Sequence, residues 1–179
     1  MKVEVPKIAR LLLDRAIDRS SIVATKVVGS GQFGKVYLAK QKMPNGKWIA
    51  RAVKVVVGDA NPENDALFVR ETATLAPLDH PNINKLIGVC FTERPWLCVL
   101  ELAEYGDLRK CLQNFRKKRF QLHPMEQLHL CKQIASGLQY LHGVRMVHRD
   151  IALRNILLGT NSQAKIADFG HARKYDEGR

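Results

Sequence analysis

The chain reads as an α+β protein of two lobes, a β-rich one followed by a helical one. Three observations predict this. Five short runs rich in β-branched or alternating residues fall within the first hundred positions, with a single helical pattern among them. Past residue 103 the apolar spacing becomes helical, most clearly over residues 124–142. The change of character falls at Glu101 to Ala103, the expected connector. These features divide the chain into a lead-in at 1–21, a small lobe and connector at 22–103, and a partial large lobe at 104–179.

Residues 7–16 carry a short helical pattern. Residues 22–28 read as a strand because β-branched side chains dominate and a glycine follows. Residues 35–40 alternate polar and apolar, a second strand. Pro44-Asn45-Gly46 is a turn signal, since Asn-Gly tolerates the positive φ of a hairpin. Residues 48–57 make the third strand. Over 62–75 a proline suits the first turn of a helix, and Ala66, Val69 and Ala73 recur near every 3.6 residues. His80-Pro81-Asn82 breaks the chain. Residues 87–91 and 96–102 are two further strands around a polar turn with Pro95. A short helix is predicted from about Asp107. In the longer helix at 124–142, Leu128, Cys131, Ile134, Ala135, Leu138 and Leu141 mark the apolar stripe, and Gly143 is the expected terminator. Short strands at 156–158 and 164–167 flank the turn Gly159-Thr160-Asn161-Ser162.

Composition excludes several classes. With 46% hydrophobic and 26% charged residues among 179, the chain has ordinary globular content. No apolar run approaches the ~18 residues of a spanning helix, and residues 1–19, with Asp14 and Asp18, make a poor signal or transit peptide. A cytoplasmic chain, or the cytoplasmic part of a membrane receptor, is expected. Cys90, Cys98, Cys111 and Cys131 form no C-x-x-C pair and the histidines no H-E-x-x-H, so buried free thiols are expected rather than disulfides or zinc. The formal charge is +12. Its densest cluster, Arg116-Lys117-Lys118-Arg119, reads as a solvated loop between helices or as a partner site. Without a recognisable RNA or DNA module, nucleic acid is not an expected partner.

Four motifs carry chemistry. Gly29-Ser30-Gly31-Gln32-Phe33-Gly34 matches G-x-G-x-x-G, which alone fits an ordinary glycine hairpin as well. A dinucleotide site would need a helix directly after it and an acid ~20 residues on. A strand follows instead, and residues 49–54 hold no acid. The string then reads as a strand-turn-strand flap whose amides approach phosphate without Cβ obstruction. Lys54 lies mid-strand between apolar residues. It is either solvated or, if inward, in need of a partner, which Glu71 on the following helix can supply. His148-Arg149-Asp150-Ile151-Ala152-Leu153-Arg154-Asn155 and Asp168-Phe169-Gly170 bring a possible base, a cation and two oxygen ligands in the order phosphoryl transfer uses.

Together, the flap with Val36, the strand lysine, H-R-D…N and D-F-G resemble the eukaryotic protein kinases, over roughly residues 17–173. The resemblance implies a protein-kinase-like two-lobe fold, a five-stranded small lobe with one helix and an incomplete helical large lobe. It further implies ATP under the amides of residues 29–34, and Lys54, held by Glu71, on the α and β phosphates. Asp150 accepts or orients the hydroxyl proton, and Asn155 and Asp168 hold Mg2+, a hard cation suited to oxygen ligands. Val36, Ala52 and Leu157 match the positions that sandwich adenine. Backbone groups of Glu101 and Ala103 match those that bond its edge, beside Leu100 as gatekeeper. Leu75, His148 and Phe169 match an apolar column, a core role for His148.

Ala152 replaces the lysine usual in serine/threonine kinases and a cation appears at Arg154, which resembles the tyrosine-kinase pattern. A protein or peptide tyrosine is therefore the implied acceptor. Residues 96–102 with 148–152 are similar to focal adhesion kinase, and residues 17–22 to the lead-in of Eph receptor kinases. Two departures stand out. His171 occupies a usually apolar position, and A-P-E with the peptide platform is absent from the nine residues after Gly170. The chain is accordingly expected to be a truncated tyrosine-kinase domain, with an inactive short form that binds nucleotide or a partner as the alternative. Such truncation would leave the 124–142 stripe partly uncovered.

Overall fold

The computed structural model describes residues 12–31, 34–56 and 62–175. The expected helical residues 7–11, the strand end at Val57 and the flap residues Gln32 and Phe33 lie outside these. Two compact units form. One comprises the chain up to Leu78 with Lys85–Leu102, the other Asp79–Asn84 with the chain from Ala103 onward.

The first unit is an antiparallel sheet of β1 (Ile22–Gly31), β2 (Gly34–Lys42), β3 (Trp48–Val55), β4 (Leu86–Cys90) and β5 (Leu97–Glu101), ordered β1-β2-β3-β5-β4. The Asn-Gly turn behaves as predicted: Gly46 takes φ 78°, and Asn45 Oδ1 accepts the Lys47 amide. Alternation sorts the strand residues onto two faces. Ala39, Val53, Val55, Cys90, Leu97 and Val99 form one buried cluster, with Ile17, Ile22, Tyr37 and Ile87 packed on it. The opposite face carries the row Gly29, Val36, Lys54, Cys98 and the row Leu38, Ala52, Leu100, each from directly paired strand positions. Helix α1 (Pro62–Leu75) reaches this second face with Glu71 and Thr72, and it buries Phe68, Thr72 and Leu75.

The second unit contains α2 (Leu108–Lys117) and α3 (Pro124–Gly143). Its strands are β6 (Gly106–Asp107), β7 (Met146–Val147), β8 (Ile156–Leu158), β9 (Ala164–Ile166) and β10 (Arg173–Lys174), paired as β6-β8-β9 and β7-β10. Asp107 caps α2 by accepting the Lys110 amide. His123 and Glu126 form a reciprocal capping box on α3, with Pro124 in its first turn. The segment His80-Pro81-Asn82, expected only to break the chain, braces this unit. Ile166 N–H donates to Asn82 O and Asn84 N–H to Ile166 O, both at 2.8 Å. The buried Asn82 amide donates to Gln133 Oε1 and Ala164 O. Among the described residues no helix is long and apolar enough to cross a membrane.

Three expectations need correction. Gly143 is the last helical residue of α3, not the residue beyond it; Arg145 takes the left-handed turn at φ 57°. The buried face of α3 is Leu130, Gly137 and Leu141, while Leu128, Cys131, Ala135 and Leu138 of the predicted stripe are exposed. Gly137 fixes that face: a Cβ there would stand 2.9 Å from Asn82 O and from Ile166 Cδ1, so the helix lies against the brace. Of the four cysteines, Cys90, Cys98 and Cys111 are buried, but Cys131 is exposed.

Candidate functional site

In the first unit, Lys54 sits centrally on β3, where the strand above and below is apolar. Its ammonium is 2.6 Å from both Glu71 oxygens, and each side chain keeps under a fifth of its surface. The inward, partnered arrangement of Lys54 is therefore the one adopted. Directly across the sheet, Cys98 is fully enclosed and beside the Glu71 carboxylate. Burial above all pushes its thiol up to about 12, so it stays protonated and inert. Val36 and Ala52 share the Lys54 face and are half-buried, with Leu100 paired to Ala52.

The glycines of the flap are not equivalent. A Cβ on Gly34 would stand 2.2 Å from the Val55 carbonyl oxygen, so only glycine lets β2 begin this close to β3. A Cβ on Gly29 would make ordinary contact with Val36 at 3.5 Å. Packing thus accounts for Gly34 but leaves Gly29 without a structural requirement. Ser30 pairs with Lys35 and Gly31 with Gly34 in the hairpin. Glu101 ends β5, its carboxylate accepting the Lys85 amide.

The second unit holds Asp150, Arg154, Asn155 and Asp168. A 3-10 turn at Leu153–Asn155 folds two side chains back onto Asp150. Arg154 Nη2 donates to Oδ1, and Asn155 Nδ2 donates to Oδ2 at 2.8 Å and to the Asp150 carbonyl at 2.9 Å. The Arg154 hydrogen bond is the chief reason Asp150 lies below the usual carboxylate range. Asp150 is thus a fixed, ionised carboxylate.

Both Asn155 side-chain bonds use the amide nitrogen, which keeps its oxygen for a ligand. Ala167 N–H donates to Asn155 O at 2.8 Å, so the backbone of Asn155 is tied to the residue that precedes Asp168. One amide and one carboxylate oxygen, with no thiol or imidazole, fit a hard divalent cation. No cluster of three or more His, Cys, Asp or Glu that could cage a metal occurs among the described residues, so remaining ligands would come from phosphate and water. Leu157 is half-buried mid-strand in β8, and Ala103 is buried at the start of this unit's main segment.

His148 is core, as its position implied. It is 2% exposed, and burial lowers its pKa most, which keeps the imidazole neutral. Nδ1 accepts the Asp150 amide, so Nε2 carries the proton and donates to Ala167 O at 3.0 Å. Phe169 meets the ring edge-on at 4.9 Å.

Arg149 and the backbone at Asp168 were not singled out by sequence reasoning. Both residues adopt positive φ, 67° and 63°, at a cost of order 1 kcal/mol each for non-glycine residues. Arg149 Nε donates to His171 O at 2.6 Å and ties the Asp150 loop to the segment after Gly170. The unusual His171 is exposed and contributes its carbonyl rather than its ring to that bond. The only available signal was an arginine beside the candidate base.

Residues 22–179 match the family model described as protein tyrosine and serine/threonine kinase. The inactive tyrosine-protein kinase kin-32 of Caenorhabditis elegans is 43% identical over 160 residues, covering 88% of this chain and 18% of that protein. The human tyrosine-protein kinase FRK is 38% identical over 162 residues, 89% of this chain and 30% of its own length. The ephrin type-B receptor 1-A of Xenopus laevis is 34% identical over 159 residues, 89% and 16% respectively. The chain spans less than a third of each of these relatives.

Proposed function

We propose that this chain, which belongs to the protein tyrosine and serine/threonine kinase family, binds ATP with Mg2+ and directs phosphoryl transfer to protein tyrosine. The observation that carries the reading is the Asp150–Arg154–Asn155 cluster, a carboxylate held ionised by a cation four residues on. When bound, ATP supplies the phosphoryl group and a divalent cation offsets its charge. Lys54, oriented by Glu71, offers an ammonium to phosphate, and the amides near Gly29 to Gly34 offer donors. Asn155 and Asp168 would hold the cation. Asp150, with a lowered pKa, is suited to orient the acceptor hydroxyl rather than to abstract its proton early, in keeping with a loose transition state that demands little base strength. Arg154 fixes that carboxylate while Ala152 leaves the neighbouring position free of a cation. Such chemistry belongs in the cytoplasm, where ATP is abundant.

The test is stabilisation by ligand. Mg-ATP should raise Tm by mass action, and Lys54→Met or Asp168→Asn should diminish the rise. A folded sample with no ATP-dependent shift refutes the nucleotide reading. Phosphoserine rather than phosphotyrosine as the labelled product from mixed polymers would refute the acceptor. Kin-32, a relative described as inactive, favours a second reading in which nucleotide binds and nothing is transferred. Stabilisation by ATP with no labelled product from a chain extended through an A-P-E segment would select it.

A further inference from the structure

We infer that Arg94 is a positioning residue: it clamps α1 so that Glu71 meets Lys54, and Arg19 ties the lead-in segment into the same clamp. This rests on the reading of Lys54 as the lysine that meets phosphate. Arg94 lies in the turn between β4 and β5. Its Nη1 donates to Asp65 Oδ1 at 3.2 Å and its Nη2 to Asp65 Oδ2, a two-point fork on the first turn of α1. The guanidinium stands 4.7 Å from the centre of the Trp96 ring. Trp96 in turn meets Phe91 at 5.3 Å, and Phe91 meets Phe68 of α1 edge-on at 6.2 Å. The turn thus holds α1 at two places, Asp65 and Phe68, which neighbour one another on one helical face.

Glu71 comes one helical turn after Phe68, so the same two holds fix its direction. A side-chain tip stands ~5–6 Å from the helix axis, and a roll of about 20° would carry it about 2 Å. That displacement would break both 2.6 Å bonds to the Lys54 ammonium. Stability alone does not account for the Arg94 fork, because Arg94 keeps 40% of its side-chain surface and exposed pairs contribute little. Orientation does. A planar fork fixes direction as well as distance, which is what keeping a helix from rolling requires.

The β4–β5 turn is itself anchored. Arg19 Nη1 donates to Pro95 O at 2.7 Å, and Arg19 Nε pairs with Glu93 Oε1 at 3.1 Å. The residues before Arg19 are stitched to β4, an edge strand of the sheet. Ile17 N–H donates to Val89 O at 2.8 Å, and Val89 N–H to Arg15 O at 2.9 Å. Gly88 makes room for this, since a Cβ there would stand 2.4 Å from Ile17 Cδ1 and 2.5 Å from Arg15 O. Asp18 Oδ1 accepts the Ser20 amide and caps the 3-10 turn Arg19–Ser21 that carries the arginine. Lead-in, turn and helix therefore form one contiguous set of contacts inside the first unit, ending on Lys54. Contiguity permits coupling without establishing it; the rate at which Lys54 reacts reports it.

The experiment is acetylation of the whole chain by N-hydroxysuccinimidyl acetate, without nucleotide, with the rate at each lysine read by mass spectrometry after digestion. An ammonium bonded to both Glu71 oxygens is shielded and reacts slowly. Arg94→Met and Asp65→Asn should each speed Lys54 about tenfold, and together no more than either alone, as residues acting through one contact do. Arg94→Lys, which keeps a cation for Asp65, should stay nearer to the unchanged chain, and Arg19→Gln should speed Lys54 about threefold. In a Glu71→Leu background, where Lys54 is already released, Arg94→Met should add nothing, an outcome that general loosening does not produce. Cys90 and Cys98, buried in the same unit, should stay protected from a thiol reagent in every variant. An unchanged Lys54 rate in Arg94→Met and Asp65→Asn, an undiminished effect in the Glu71→Leu background, or loss of thiol protection in step with Lys54 overturns the proposal. An unchanged rate in Arg19→Gln overturns the lead-in's part in it. Because no nucleotide is present, these rates are independent of whether Mg-ATP raises Tm, and a failed nucleotide reading is distinguishable from a failed clamp.

Discussion

Separating Lys54 from Glu71 tests whether the lysine proposed to meet phosphate is held in advance of any ligand. The perturbation is a double-mutant cycle of Lys54→Met, Glu71→Leu and both together. Nζ is 2.6 Å from each carboxylate oxygen, and the side chains keep 18% and 17% exposure. With charge centres ~3 Å apart and an effective dielectric near ~20, the gross attraction is ~5 kcal/mol. Loss of most hydration at both groups offsets more than half of this. A coupling of about 2 kcal/mol remains, well above the ~0.5 typical of exposed pairs. Each single variant strands a partly buried charge and should cost about 2–4 kcal/mol, while the double variant should cost less than the sum. Urea unfolding by tryptophan fluorescence is the assay, because Trp48 and Trp96 both lie in the first unit and report on it alone. A coupling below about 0.5 kcal/mol would show a pair that is solvated in solution, and the claim of a preset lysine would fall.

Other expectations follow from the same geometry. Gly34→Ala should destabilise the first unit by about 2–3 kcal/mol, since its Cβ would overlap the Val55 carbonyl, whereas Gly29→Ala should change urea stability by less than about 1. If the two cost the same, the close approach of β2 to β3 does not occur. Alkaline stability should depend on Cys98. Its folded pKa is raised to about 12, so the stability it contributes is complete below the unfolded thiol value near 9 and is lost as pH rises toward 12. Cys98→Val should flatten that part of the pH profile, and an unaltered profile would contradict the burial. With an aromatic disulfide reagent near neutral pH, one thiol, Cys131, should react promptly and three only after unfolding; prompt labelling of more than one would refute the assignment.

What the sequence reveals about this fold depends on whether a signal is local. β3 and α1 were readable because an Asn-Gly turn precedes Trp48–Val55 and Pro62–Leu75 opens on a proline, features the chain carries within a few residues. The Asp150 cluster was readable for the same reason: Arg154 and Asn155 reach Asp150 through a single turn. The buried face of α3 was misjudged because two helix faces carry apolar residues, and the choice between them is made by residues 79–84 and β9, distant in sequence. Gly137 against Asn82 and Ile166 decides it. The Gly143 terminator failed for a related reason. Glycine is the cheapest left-handed residue but not a required one, and Arg145 adopts that turn with its N–H on His142 O, two residues beyond the helix end. Arg119, Arg145, Arg149 and Asp168 all occupy positive φ without being glycine, so their backbones are visible only once neighbouring elements impose them. At Arg149 and Asp168 that imposition is concentrated. The first is tied to His171 O, and the second follows Ala167, which bonds both Asn155 and His148. Strain of this kind persists only where surrounding bonds over-determine it. The loop and the segment after it therefore hold one another in place, and relaxing either should loosen the Asn155–Asp168 pair together with the carboxylate of Asp150.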